Sequence, residues 1–405
     1  MTSNLPSVPQ PPDAVAPGRA ARSPIALPSA HDPVSPPRDR GPARDRPTQD
    51  SLGVRARDRR STLLLLGLAL AVLASLVLTM GVGPVAIPAA ATWQVLTHHL
   101  GAPAWLSPQA AAAADPATDA IVWTVRLPRV LMGAAVGACL AICGATLQAL
   151  VRNMLADPYI LGISGGASTG AAGAILFGVG AALGDYAQGV LAFAGALGAA
   201  LLVFLIARTG GRVTSLRLLL SGVAVGYALS AATNLLIFSS DSAEGSRSVM
   251  FWMLGSLSLA QWNAFLALAA AAAVLGAAVL TFFSTTLDAL SAGDETAHGL
   301  GIDPDRARIG FLVVVSMCTA AAVAGAGAIG FVGLVIPHLA RRVVGARHRV
   351  LIPASALLGA LFLLWADALA RVIMPPQELP IGVLTAAVGA PFLLVLVRRL
   401  YAQRH

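Results

Sequence analysis

The segment RLPRVLMGAAVGACLAICGATLQALVRNMLADPYILGISGGASTGA, residues 126–171, decides the fold. Between Arg129 and Arg152 it carries no charged side chain, and that interval is long enough for a helix to cross a bilayer, which takes about 20 residues. Cations mark both of its ends. Gly133 and Gly137 stand four apart, the spacing that lets helix backbones approach closely in lipid. Cys139 and Cys143 share one face of the same helix, and Cys318 lies in another apolar run. No histidine stands near them at a ligand spacing, so all three read as small packing residues rather than a disulfide or a metal site.

The pattern repeats along the chain. Apolar runs at about 61–83, 128–150, 159–181, 188–207, 217–238, 262–283, 308–328, 330–346, 350–371 and 381–398 predict an all-α, polytopic bundle of about ten transmembrane helices. Residues 84–112 are too polar and too broken by proline to span. Charged residues make up only 11% of the 405 positions and hydrophobic ones 57%, far from the balance of a soluble domain. Residues 1–60 differ in kind, with 12 of the 26 prolines and 10 arginines. They predict a disordered, Pro/Arg-rich cytoplasmic extension, followed by a membrane domain at 61–405. Arg55, Arg57, Arg59 and Arg60 abut the first apolar run, where anionic lipid would hold them.

Every basic residue is arginine; the chain has no lysine. A phosphate-binding loop of the Walker type and Schiff-base catalysis are therefore excluded. The net charge of +8 divides evenly between the tail and the membrane part, which argues for loop bias rather than nucleic-acid binding. With both termini in the cytoplasm, 17 of the arginines from Arg55 onward fall inside and only Arg126, Arg129, Arg247 and Arg371 outside. Those exceptions call for a separate reason.

Collinear stretches from about 65 to 400, among them 126–171, "LSAGDETAHGLGID" at 290–303, "GFVGLVIPHLARRVVGARHR" at 330–349 and "PASALLGALFLLWADALARVIMPPQELPIG" at 353–382, strongly resemble the permease subunits of type II ABC importers. Members of that family import ferric siderophores, haem and vitamin B12. The resemblance implies a permease in the bacterial inner membrane, without an ATPase site or bound cofactor of its own. Its implied partners are a second copy of the chain, two cytoplasmic subunits that use ATP, and a periplasmic substrate-binding protein. By the same resemblance Arg126, Arg129 and Arg371 line a periplasmic rim on which acidic residues of the binding protein dock. The loop 285–308 matches the ATPase-coupling loop, with Leu290, Gly293, Asp294, Glu295, Ala297, Leu300 and Gly301 as its contact residues. Asn153 and Leu155, together with Thr214 and Ser215, match a cytoplasmic gate, although Met154 stands where relatives usually have proline.

Asp367, four residues before Arg371, predicts an intrahelical ion pair. His338 predicts a packed, hydrogen-bonded histidine. Two rival functions have some footing. "GISG" at 162–165, with Ser164 as nucleophile and His338 as base, would suit an intramembrane serine protease. An ion-coupled secondary carrier would need ionisable groups near the midplane, and the spans hold almost none besides Asp367. The favoured cargo is an iron chelate, ferric siderophore first, then haem, then cobalamin.

Overall fold

A computed structural model describes residues 49–101, 115–209 and 212–402. Residues 1–48 of the expected extension, and 102–112 of the region expected not to span, lie outside it. In the compact unit at Leu52–His405 the described residues are mainly helical, with one short ladder.

In chain order the helices are α1 Gln49–Gly81, α2 Ala89–His99, α3 Pro116–Asp119, α4 Leu127–Val151, α5 Ile163–Phe177, α6 Ala187–Ala207, α7 Ser215–Phe238, α8 Ala243–Met253, α9 Ala264–Phe282, α10 Ser284–Ala292, α11 Asp294–Gly299, α12 Pro304–Ala326, α13 Val332–Val344, α14 His348–Ala370 and α15 Ile381–Ala402. Two-residue strands, β1 Arg208–Thr209 and β2 Arg212–Val213, pair antiparallel between α6 and α7.

Each of the ten apolar runs forms a helix, but only 8 of the described helical stretches are long and apolar enough to cross a membrane. The two that fall short are α5 with 15 residues and α13 with 13. At 1.5 Å per residue α5 reaches about 22 Å, less than a hydrocarbon core of about 30 Å. Of the about ten expected transmembrane helices, eight are thus long enough to span by length and composition, and two are shorter helices. α1 also begins earlier than composition predicts, at Gln49, because the arginine-rich stretch before residue 61 contains no helix breaker except Gly53.

The bundle is organised around α4, whose 25 residues are almost all buried and which packs on α9, α12, α13 and α14. Small residues make this possible. A Cβ built on Gly137 would lie 2.2 Å from the Gly359 carbonyl oxygen of α14, and one on Gly359 would lie 2.2 Å from the Gly137 oxygen. The two backbones therefore touch, as the small-residue spacing predicts. The cysteines pack as expected: Cys139, Cys143 and Cys318 are buried, and their thiols donate to the carbonyls of Ala269, Val315 and Ala272 at 3.7, 3.5 and 3.3 Å.

The α12–α13 connection is a break in one apolar run. Gly327 and Phe331 both have positive φ, at 70° and 67°, so the helix cannot continue between them. The Tyr159 phenol closes the break: it accepts from Ile329 N–H at 2.9 Å and donates to the Ile329 carbonyl at 3.1 Å.

Candidate functional site

The candidate residues separate to the two ends of α4, which are about 37 Å apart at 1.5 Å per residue. At the first end a π-helical turn, Ala120–Arg126, runs into α4, and Pro128 follows at once with no N–H to offer the wider turn. This junction places Arg126 and Arg129 close to the start of α4, beside the end of α14.

The three arginines expected to form a free cationic rim are buried here, each less than a tenth exposed. Arg126 donates to the Met80 carbonyl at 2.5 Å and to that of Val85. Arg371 donates to the carbonyls of Thr79 and Val82 at 3.0 and 2.6 Å. Carbonyls of the last turn of α1 and of the segment just after it thus take two guanidiniums, which is why these cations turn inward. Arg129 is paired with Asp367 at 2.9 Å and Glu378 at 2.9 Å. Asp367 also meets Arg371 at 3.1 Å, which is the intrahelical pair expected from their spacing. Asp367 is buried and Glu378 half-exposed, so three cations and two carboxylates leave a cluster of net charge +1.

At the other end, α10 and α11 form a helical hairpin whose corner, Gly293, has φ 134°, a conformation that side-chain-bearing residues rarely adopt. The seven coupling candidates do not share one surface. Leu290 and Ala297 are fully buried against the bundle, because each is the inward position of a short amphipathic helix. Glu295, Leu300 and Gly301 are exposed, and Leu300 presents 66% of its surface. Asp294 is half-exposed and paired: it accepts from Arg308 of α12 at 2.7 Å and from Arg152, the residue that caps α4.

Asn153 and Leu155 lie exposed on a turn held by its own backbone, with Asn153 Oδ1 accepting from Leu155 N–H at 2.9 Å. His338 of α13 holds the same turn through Nε2 on the Met154 carbonyl at 3.0 Å. That nitrogen is therefore engaged as a hydrogen-bond donor, as expected of a packed histidine, and is not the free base a protease would need. Gln148 accepts from Arg341 at 2.5 Å, so α13 is fastened to α4 immediately before the turn. Thr214 caps α7 by accepting from Arg217 N–H, and the Ser215 hydroxyl donates to the Leu150 carbonyl, both at 3.4 Å. A polar cavity of about 810 Å³ brings together Thr214, Ser215, Arg152, Asp294, Glu295, His298, Asp305 and Arg308.

Two carboxyls at this end are shifted. Burial pushes Asp157 up to about 6, against the hydrogen bond it accepts from Tyr159 N–H. For Asp288, burial pushes upward, but hydrogen bonds from the His348 ring and backbone N–H, with the charges of His348 and Arg347, hold it below the usual carboxylate range. The His348 ring contact is 2.5 Å and ties α10 to the start of α14.

Sequence reasoning did not single out Arg152, Arg308, Gln148, Arg341 or the Asp288–His348 pair. One clue was present: Arg152 and Arg308 stand directly beside matched gate and coupling stretches. Long-range polar pairing, however, is set by which helices adjoin, and periodicity is silent about that.

The chain matches known proteins over most of its length. Residues 63–399 match the family model for the FecCD transport family. The chain is 48% identical to the cobalamin import system permease protein BtuC of Halobacterium salinarum, over 69% of this chain and 73% of that one. It is 41% identical to the hemin transport system permease protein HmuU of Yersinia pestis, over 70% and 85%. It is 40% identical to the Fe(3+)-citrate import system permease protein YfmD of Bacillus subtilis, over 69% and 81%. A solved structure described as a metal-chelate type ABC transporter in an inward-facing conformation superimposes with TM-score 0.71 at 32% identity, covering 84% of this chain and 99% of that one.

Proposed function

The chain belongs to the FecCD transport family, a multi-pass membrane protein of ABC permease type, and we propose that it is the membrane subunit of a type II importer that moves a bulky metal chelate inward. Two copies would enclose the pathway, two ATPase subunits would bind the α10–α11 hairpin, and a periplasmic binding protein would deliver cargo to the Arg126–Arg129–Arg371 end. The observation that carries this reading is the hairpin. It leaves Leu300 and Glu295 outside while Leu290 and Ala297 anchor it, a shape suited to seat in another protein's groove.

The opposite end supports docking through its residual charge. The internal carboxylates leave one positive charge uncompensated, so an acidic partner gains attraction without any need for free guanidiniums. Energy would come from the partner subunits, a reading supported by the absence of lysine, and so of a Walker-type loop, in this chain. The arginine distribution supports cytoplasmic termini in a bacterial inner membrane.

The first cargo reading is a ferric siderophore. The second is cobalamin, favoured by the 48% identity to a cobalamin permease. Co-purification tests the assembly: a tagged chain should retain an ATPase subunit co-expressed from its own organism, and Leu300→Asp should abolish that retention while leaving detergent-extracted chain monodisperse. Undiminished retention by Leu300→Asp would contradict the hairpin assignment. Competition for uptake between a ferric siderophore and cobalamin decides the cargo.

A further inference from the structure

Asp294 belongs to the stretch assigned to ATPase contact, yet its carboxylate, 44% exposed, is already engaged within the chain. It sits at the first position of α11, directly after the Gly293 corner, and receives two guanidiniums from different parts of the bundle. One is Arg308, on the first turns of α12, whose side chain is only 7% exposed. The other is Arg152, which ends α4 and begins the turn carrying Asn153 and Leu155.

Arg152 is one of only two described residues other than glycine with positive φ, at 53°. A side-chain-bearing residue in that region is strained, and such strain persists where surrounding contacts over-determine the conformation. Here the contact that fixes the side chain is the ion pair to Asp294. The turn it begins is stiff, through Asn153 Oδ1 to Leu155 N–H and Ala156 N–H to the Asn153 carbonyl at 3.1 Å. Beside this linkage lies the cavity of about 810 Å³, with Thr214 and Ser215 on its wall.

We propose that Asp294 is a positioning residue that joins the coupling hairpin to the gate turn through Arg152, so that α11 and residues 152–156 move as one body past Thr214 and Ser215. The idea rests on the permease reading above. An exposed ion pair adds little to stability, so its use lies in register. If α11 shifts when the ATPase closes, the pair carries that displacement to Leu155, whereas without it the hairpin moves and the gate lags. ATP hydrolysis then proceeds without transport.

The test is the number of ATP molecules hydrolysed per cargo molecule imported, measured in proteoliposomes holding the complete transporter. Arg152→Gln should keep ATPase association and raise that ratio about tenfold, the scale of a typical coupling between sites. Arg152→Lys, which retains the charge, should restore most of the coupling. An unchanged ratio in Arg152→Gln overturns the proposal, and so does loss of ATPase association in that variant, which would make the pair a docking element. Spin labels at Leu155 and His298 give a second measurement in a chain that keeps Arg152. Their separation should stay constant through the nucleotide cycle, and a change of several ångströms would refute the single-body claim. The permease reading fails separately, if the unaltered chain recruits no ATPase subunit.

Discussion

Asp367 shows how one side chain can carry a whole junction. It is buried, it pairs with Arg129 and Arg371 together, and those two reach α1 and Glu378 in turn. Removing one member of a buried ionic cluster leaves an uncompensated charge and costs about 3–5 kcal/mol. Asp367→Asn should therefore lower the thermal midpoint in detergent markedly, whereas Glu378→Gln, at a half-exposed partner, should change it little. Equal effects would contradict the asymmetry of burial. Asp288 makes a pH-dependent contribution of the opposite character. Its carboxyl lies below the unfolded value of 3.8, so its contribution is present above that value and fades as pH falls through the folded one. Asp288→Asn should lower stability at neutral pH, remove this residue's share of the acid limb below about pH 4, and converge with the unaltered chain at the acid end. A profile identical to that of the unaltered chain would show that the His348 contact is idle.

At the scale of elements, the α10–α11 hairpin depends on its corner. Gly293 sits at φ 134°, so Gly293→Leu is strained even though a Cβ there would meet only Thr296 and Arg152 near 4 Å. The corner should open and ATPase retention fall at least tenfold, while the eight long helices keep their helicity by circular dichroism; normal retention would mean that the corner is not required. Much of this level was legible beforehand. Run lengths located all ten helices, and the glycine spacing at residue 137 anticipated the contact with Gly359. Two features escaped. Length alone did not show that α5 and α13 fall short of spanning, because positive φ at Phe331 and the turn before Gly162 cut their runs from outside. Nor did charge counting show that the arginine rim is buried: it registers which end of a helix a cation occupies, and the carbonyls that turn it inward belong to the end of α1 and the segment just after it.

Across the whole molecule, the two polar ends are joined by a nearly bare apolar bundle. Among the described spans, the ionisable side chains that are buried lie at helix ends and are paired, as Asp367 is, and no relay crosses between them. That distribution suits a conduit driven from one end better than a carrier that titrates at its midplane. It also makes ATP use by a partner the central claim. The most direct measurement is uptake of radiolabelled ferric siderophore or cobalamin into proteoliposomes, with binding protein outside and ATP enclosed. The account predicts accumulation against a gradient when chain, ATPase and ATP are all present, and none when the ATPase subunit is left out, whatever ion gradient is applied. Uphill accumulation by the chain alone, driven by protons or sodium, would contradict it.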